Sequence, residues 1–162
     1  MTCRGVVVVV ALLVVAGSAN AQDKFGVGII AGEPTGITVK KWLDNRVAID
    51  AAAAWSFSDN DSFQFHMDYL IHDYTVFHPK ELKGKLPLYY GVGGRLKLRD
   101  NDNNRNKNND DTLVGVRVPI GIAYLLPNDP FEFFAEIVPT LDIAPETDLD
   151  INAALGFRYY FK

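Results

Sequence analysis

Hydrophobic and polar residues alternate with a period of two between positions 46 and 58. One set of alternate positions is small or polar: Arg46, Ala48, Asp50, Ala52, Ala54, Ser56 and Ser58. The set between them is apolar: Val47, Ile49, Ala51, Ala53, Trp55 and Phe57. Successive side chains of a β-strand point to opposite faces of the sheet, so this segment is predicted to be a strand with one polar and one apolar face.

The same alternation continues along most of the chain and predicts eight strands. The candidate strands are residues 24–31, 36–43, 46–58, 62–74, 85–99, 112–126, 131–143 and 148–161. The segments between them are rich in Gly, Pro, Asn and Asp, which favour turns. No apolar stripe with a helical period of useful length is present. The pattern therefore predicts an all-β, antiparallel fold in which each strand pairs with its neighbours in the chain.

The first 21 residues have the features of a cleaved signal peptide. Arg4 supplies a positive charge, residues 6–16 form an unbroken apolar run, and Ala19-Asn20-Ala21 matches an A-x-A cleavage site. The run is shorter than the roughly 20 residues that a helix needs to span a bilayer. We therefore expect residues 1–21 to be removed during Sec-type export, and residues 22–162 to form one domain.

Cysteine content and charge exclude several classes of function. The single cysteine, Cys3, lies in the predicted signal peptide, so we expect no disulfide and no thiol chemistry in the mature chain. The formal net charge is −4 and there is no basic tract, which argues against nucleic acid as a partner. No later apolar stretch is long enough for a transmembrane helix.

The distribution of charges and aromatic residues favours a barrel that is apolar on the outside. Across the last six candidate strands the apolar face carries no charge, as contact with lipid requires. Aromatic residues cluster near strand ends, where membrane interfaces lie: Trp42, Trp55, Phe57, Phe63, Phe131, Phe133, Tyr159 and Phe161. The polar face is rich in Gly and Ala, which suits a narrow, filled lumen. The alternative is a soluble periplasmic barrel of the lipocalin type, which would bind an apolar ligand inside.

Loop lengths suggest an orientation. If the N-terminus starts on the periplasmic side, the longest connection, residues 100–111, is extracellular, and the connection at 75–84 is periplasmic. Pro119 and Pro139 fall inside candidate strands, where each removes a hydrogen-bond donor. We expect them to lie at bulges or where the sheet is locally open.

Several stretches resemble a known family. They are Gly32-Glu33-Pro34-Thr35-Gly36 followed by Lys41-Trp42-Leu43, the segment 86–95, Val116-Arg117-Val118-Pro119-Ile120-Gly121, Glu136-Ile137-Val138-Pro139, and the final Gly156-Phe157-Arg158-Tyr159-Tyr160-Phe161. The chain resembles the small eight-stranded outer-membrane barrels typified by the OmpA transmembrane domain. More closely, it is similar to an uncharacterised group of predicted outer-membrane barrels from Gram-negative bacteria.

This resemblance implies an eight-stranded, antiparallel, up-and-down transmembrane β-barrel in the bacterial outer membrane. It also implies a monomer whose partners are outer-membrane lipid, lipopolysaccharide and the barrel assembly machinery. Such barrels typically end on a phenylalanine that the assembly machinery recognises, and here Lys162 follows Phe161. The group has no agreed activity, so no catalytic residue is carried over from it.

Charged residues on the polar face point to an ion-pair network in the lumen. The acidic residues are Asp50, Asp68, Glu132, Glu136, Asp142 and Asp150, and the basic residues are Arg95, Lys97, Arg117 and Arg158. Side chains just fill a barrel of this size, so buried charges must pair. We expect a structural network of Asp50, Asp68, Arg95, Arg117, Glu136 and Arg158 that plugs the barrel, with Glu136 meeting Arg95, Arg117 or Arg158. A gated pore is the alternative.

Two histidines are the candidates for catalysis. His66 and His72 share a face with Asp68, and Ser56, Ser58 and Ser62 lie near them across the hairpin. A Ser-His-acid set would suit a barrel enzyme that modifies the acyl chains of lipid A. However, no G-x-S-x-G motif supports a nucleophile, and two histidines six residues apart need a third ligand to hold a metal.

We therefore expect a non-enzymatic protein with no metal or other cofactor, and a structural or surface-interaction role. The 100–111 connection lacks the glycine and terminal glutamate of a calcium-binding EF-hand loop and is interpreted as a solvated surface loop.

Overall fold

The computed structural model describes residues 25–33, 35–56, 62–77, 79, 81–99, 111–145 and 147–161. Nine β-strands form within this part of the chain: β1 Phe25–Gly32, β2 Thr35–Trp42, β3 Val47–Ser56, β4 Ser62–Asp73, β5 Leu88–Arg99, β6 Asp111–Arg117, β7 Ile120–Leu125, β8 Phe131–Ala144 and β9 Asp148–Phe161. The predicted signal peptide and residues 100–110 of the long connection lie outside it. In the described ranges, no helix is long and apolar enough to cross a membrane.

The strands close into a ring. β6 and β7 are two parts of one spanning strand, because both pair with β5 on one side and with β8 on the other. Counted this way, every strand pairs antiparallel with its neighbours in the chain, and β1 pairs with β9, from Phe25 opposite Phe161 to Gly32 opposite Ala154. The eight-stranded, up-and-down antiparallel β-barrel predicted from the sequence is confirmed.

Pro119 separates β6 from β7 without opening the barrel. Arg117 pairs with Gly93 of β5, and Ile120 pairs with Tyr90, so the register is the same on both sides of the proline. The prediction of a single strand over residues 112–126 is therefore corrected to two short strands in one line.

Pro139 lies inside β8, which pairs with β9 in one register from Phe131 to Asp142. Its carbonyl oxygen accepts a hydrogen bond of 2.9 Å from the Val118 N–H. The register shift between β6 and β8 lies instead at Val114 and Gly115. Neither proline lies at a bulge: the strand is interrupted only over Val118 and Pro119, β8 continues through Pro139, and each proline removes a single donor.

The polar face of the strands points into the barrel. In β3, Ala48, Asp50, Ala52 and Ala54 are buried, while Trp55 is half exposed on the outer wall. The outer wall carries large apolar side chains with much of their surface exposed, among them Ile29, Ile37, Met67, Val92, Phe133, Ile137, Leu149, Ile151 and Leu155. The barrel is therefore apolar outside and polar inside, as predicted.

Glycines make room for the large interior side chains. Gly156 pairs with Phe134, and a Cβ on Gly156 would lie 2.0 Å from the Phe134 ring. Gly93 pairs with Asp68, and a Cβ there would lie 1.9 Å from Asp68 Oδ1 and 2.2 Å from the Met67 carbonyl oxygen. A side chain at Gly156 would displace the buried Phe134 ring, and one at Gly93 would press on the backbone of β4, which cannot move as a flexible side chain can.

We predict that Gly93→Ala lowers the free energy of unfolding by about 1–3 kcal/mol, the usual cost of overpacking. The matched control is Gly94→Ala on the outer wall, where a Cβ would meet nothing nearer than the Gly115 carbonyl oxygen at 3.8 Å. That change should be within about 0.5 kcal/mol of wild type. Urea unfolding of the protein in detergent, followed by tryptophan fluorescence, measures both. Equal losses for the two variants would contradict the assignment of the inner face.

Candidate functional site

The barrel interior is the candidate functional site, because charged and polar side chains from most strands are buried there. They occupy alternate positions of their strands: Thr38, Lys40, Asp50, Ser62, Gln64, His66, Asp68, His72, Arg95, Lys97, Arg117, Glu132, Glu136, Thr140, Asp142, Asn152 and Arg158. Such burial is stable when the charges find partners.

Glu132 of β8 has the densest set of partners. Lys40 Nζ lies 3.1 Å from both of its carboxylate oxygens. Arg158 Nη1 donates to Oε1 at 2.8 Å, and the Tyr160 hydroxyl donates to Oε2 at 2.7 Å. The carboxylate is fully buried and joins Lys40 of β2, across the lumen, to two side chains of the neighbouring strand β9.

Arg158 of β9 extends this group to β3. Its Nη2 donates to Asp50 Oδ2 at 2.8 Å and to Thr38 Oγ1 at 2.9 Å, and its Nε donates to the same hydroxyl at 3.2 Å. The guanidinium carbon lies 3.9 Å from the centre of the Phe134 ring, a cation–π contact. One side chain therefore links strands on opposite walls.

Lys40 and His72 pack at the end of the barrel that carries the termini. Lys40 Nζ lies 3.0 Å from His72 Nε2, and His72 Nδ1 lies 3.1 Å from the Arg46 carbonyl oxygen. An ammonium group can only donate, so Nε2 accepts, and Nδ1 carries the proton that it donates to the carbonyl. The Trp42 ring lies 4.3 Å from the His72 ring and 4.6 Å from Lys40 Nζ. His72 is thus held as a neutral, structural histidine.

A second group surrounds Arg117. Its Nε lies 3.0 Å from Asp68 Oδ2, and its Nη2 lies 3.6 Å from Glu136 Oε1. The Tyr89 hydroxyl donates to Glu136 Oε2 at 2.8 Å. Arg117 Nη1 and Asp68 Oδ1 have no hydrogen-bond partner among the described residues. This group is bonded less tightly than the one around Glu132.

A third group lies towards the opposite end. Arg95 binds Asp142 with two parallel hydrogen bonds, Nε to Oδ1 at 2.9 Å and Nη2 to Oδ2 at 2.6 Å. Its Nη1 donates to Asp150 Oδ2 at 3.1 Å, and the Asn152 amide donates to the same oxygen at 3.3 Å. The Asp150 side chain is 39% exposed, so this group reaches the solvent at the barrel mouth.

The structure places all six residues of the predicted network inside the barrel: Asp50, Asp68, Arg95, Arg117, Glu136 and Arg158. Of the three partners considered for Glu136, it is Arg117 that lies in contact, while Arg95 and Arg158 bind other carboxylates. The carboxylate with the most partners is Glu132. Sequence reasoning missed Lys40. It lies between Thr38 and Trp42 at alternate positions of β2, and this alternation could have placed it on the inner face.

Among the described side chains, the histidine candidates form no Ser-His-acid arrangement. His66 is buried, with its Nδ1 3.5 Å from the Gln64 amide nitrogen, and Ser62 Oγ has no hydrogen-bond partner in the described ranges. No serine–histidine hydrogen bond is formed by the described side chains, and the side chains of Ser56 and Ser58 lie outside them. In the part of the chain that is described, no group of three or more His, Cys, Asp or Glu residues is positioned to hold a metal ion.

With this geometry in hand, comparison with known proteins identifies the family. The sequence profile of the family described as "Protein of unknown function (DUF3996)" matches residues 16–161. The chain belongs to this family. A search of curated proteins finds no significant match to this DUF3996 member.

Several solved structures are similar to this DUF3996 protein at low sequence identity. The N-terminal β-barrel domain of Pseudomonas aeruginosa OprF is 11% identical, with a TM-score of 0.60, over 86% of this chain and 96% of that one. The outer-membrane protein Ail of Yersinia pestis is 14% identical, with a TM-score of 0.48, over 86% and 100% of the two chains. The Neisserial surface protein NspA is 10% identical, with a TM-score of 0.47, over 86% and 94%. The likeness to OprF agrees with the barrel fold.

We predict that Glu132→Gln lowers the free energy of unfolding by about 3–5 kcal/mol, because it leaves Lys40 buried without its carboxylate. The control is Asp150→Asn, which removes a partly exposed partner from Arg95 and should cost at most about 1 kcal/mol. Urea unfolding in detergent measures both. A loss for Glu132→Gln no larger than that of the control would show that the network contributes little to stability.

Proposed function

We propose that this protein is an outer-membrane β-barrel with a structural or surface-interaction role and a lumen that is closed by its own side chains. It reaches the membrane by Sec-type export and cleavage of residues 1–21. Its partners are outer-membrane lipid, lipopolysaccharide and the barrel assembly machinery, and it acts as a monomer.

One observation carries the membrane assignment: the polarity of the barrel is inverted. On the outer wall Ile29 is 61% exposed, Ile137 58% and Leu155 65%, whereas Arg117 and Glu132 inside are at most 1% exposed. In water such a wall would be an apolar patch far larger than those of soluble monomers. In a bilayer it is the expected lipid contact. A soluble barrel that binds an apolar ligand would need the opposite arrangement.

The filled interior supports the absence of an open pore. The ion pairs Lys40–Glu132 and Arg158–Asp50 cross the lumen, and Arg117 joins Asp68 two strands away. An apolar cluster packs among them, formed by Ile30, Ala52, Leu70, Tyr89, Ala123, Phe134 and Ala154. Together these side chains occupy the space that a water-filled channel would need.

The geometry does not favour the alternative of a lipid-modifying enzyme. A lipid substrate would have to reach His66 or His72 through the barrel wall, and both are buried inside it. Their hydrogen-bond partners in the described structure are Gln64, Lys40 and a backbone carbonyl rather than a nucleophile. A surface role would instead reside in connections such as 100–111.

We predict that the protein fractionates with the outer membrane and shows heat-modifiable mobility on gels. The Ile137→Lys variant should be largely absent from the outer-membrane fraction and should largely lose the heat-modifiable mobility. Ile137 lies in the middle of β8, where a charge facing lipid costs about 2–4 kcal/mol. The control is Thr112→Lys on the same outer face near a strand end, where the cost is about 0–1 kcal/mol.

The Ile137→Lys and Thr112→Lys variants distinguish a membrane barrel from a water-soluble barrel. Both residues are exposed on the outer wall, so in a water-soluble barrel both substitutions would be harmless. Equal, normal folding of the two variants in a soluble fraction would overturn the membrane assignment.

We predict that the purified protein produces no steady large current in a planar lipid bilayer, because ion-paired side chains fill its lumen. An outer-membrane porin reconstituted in the same way is the positive control. A sustained large conductance from the wild-type protein would contradict the closed lumen while leaving the membrane assignment intact.

A further inference from the structure

The connection between β4 and β5, residues 74–87, is long for the end of the barrel that carries the termini. Its described part is held in place at both ends. The Asp73 carboxylate accepts the Thr75 N–H at 2.7 Å, and the Lys85 and Leu125 backbones exchange hydrogen bonds of 3.1 and 2.9 Å. The first contact orders the turn that follows β4, and the second fixes the other end of the connection against β7.

Gly84 places this connection at the height of the aromatic residues on the outer wall. A Cβ on Gly84 would lie 2.6 Å from Tyr124 Cε2, so the backbone lies directly against that ring. Tyr124 pairs with Phe133 on β8, and Phe131 pairs with Tyr159 on β9. Rings at this level of a membrane barrel mark the boundary between acyl chains and headgroups.

The connection presents apolar and basic groups together. Val76, Phe77 and Leu82 are between 42% and 48% exposed although they lie outside the strands. Lys83 and Lys85 are exposed beside them. In sequence, residues 74–87 carry three lysines and one glutamate, Glu81. Exposed apolar residues flanked by lysines at a membrane boundary are typical of segments that bind anionic lipid surfaces.

We propose that the β4–β5 connection is an interfacial anchor that binds the adjoining membrane leaflet, with Val76, Phe77 and Leu82 inserted among the lipids and Lys83 and Lys85 on phosphates of anionic phospholipids. The inference rests on the proposed function, because it requires the outer wall to be in lipid. Net positive charge favours a surface with net negative charge, such as anionic phospholipid. Exposed apolar side chains favour lipid over a protein partner, because they can enter the acyl chains without a shaped pocket.

Site-specific fluorescence tests the anchor. In a Cys3→Ser background, single cysteines at Phe77, Leu82, Glu81 and Val92 are labelled with an environment-sensitive fluorophore, and the protein is reconstituted into vesicles of phosphatidylethanolamine and phosphatidylglycerol. Nitroxide-bearing lipids and aqueous iodide then serve as quenchers. We expect the labels at Phe77 and Leu82 to emit at shorter wavelength than the label at Glu81, to be quenched by the nitroxide lipids and to be shielded from iodide.

The label at Val92, which lies on the outer wall, distinguishes failure of the membrane assignment from failure of the anchor alone. If the label at Val92 is not quenched by nitroxide lipids, the membrane assignment itself fails. If Val92 is quenched but Phe77 and Leu82 are as accessible to iodide as Glu81, the barrel is in lipid and the anchor alone is overturned. Shielding of Phe77 that appears only when a membrane protein extract is added would indicate a protein partner and would also overturn it.

Charge variants test the role of the lysines. The double variant Lys83→Gln and Lys85→Gln should reduce lipid quenching at Phe77 in the anionic vesicles and have no effect in vesicles of phosphatidylcholine. The double variant Lys83→Arg and Lys85→Arg keeps the charge and should quench as the wild type does. Binding to anionic phosphate would be contradicted if both double variants lost the same amount of lipid quenching at Phe77. It would also be contradicted if the glutamine variant lost the same amount in anionic and in phosphatidylcholine vesicles.

Discussion

The narrowness of an eight-stranded barrel is the constraint on which the rest of this structure depends. Side chains just fill such an interior, so the large groups that it holds need small residues at many of the neighbouring positions. The chain meets this limit by setting a glycine against a large partner, as with Gly156 and Phe134 or Gly93 and Asp68. The glycine and alanine residues of the inner face leave the space that its arginine and phenylalanine side chains occupy.

The same narrowness determines what the charges do. With so little space around them, Arg158, Glu132 and Lys40 cannot keep their hydration shells and must instead satisfy one another. The lumen becomes a set of cross-strand ion pairs with aromatic rings packed between them. Under the proposed function these contacts are structural, and the surfaces open to other molecules are the wall and the connections.

Much of this could be predicted from sequence, because alternation specifies which face of each strand is apolar. It placed Asp50 and Arg158 inside and Ile137 outside correctly. It could not specify which charges meet, because contacts across the lumen depend on strand register and tilt. The sequence analysis therefore centred the network on Glu136, whereas in the structure Glu132 has the most partners. The pattern also could not show that Pro119 would divide a strand without changing its register.

The ion pairs also join residues that are far apart in the chain. Arg158 is 120 positions from Thr38 and 108 from Asp50, and Lys40 is 92 from Glu132. None of these bonds can form until the last strand has reached the first, and contacts of such long range form late in folding. A partly assembled sheet would hold Lys40, Asp50 and Glu132 without Arg158. Closing the ring and completing the ion pairs around Lys40 and Asp50 are therefore coupled, which disfavours a long-lived intermediate in which β1–β3 have not yet met β9.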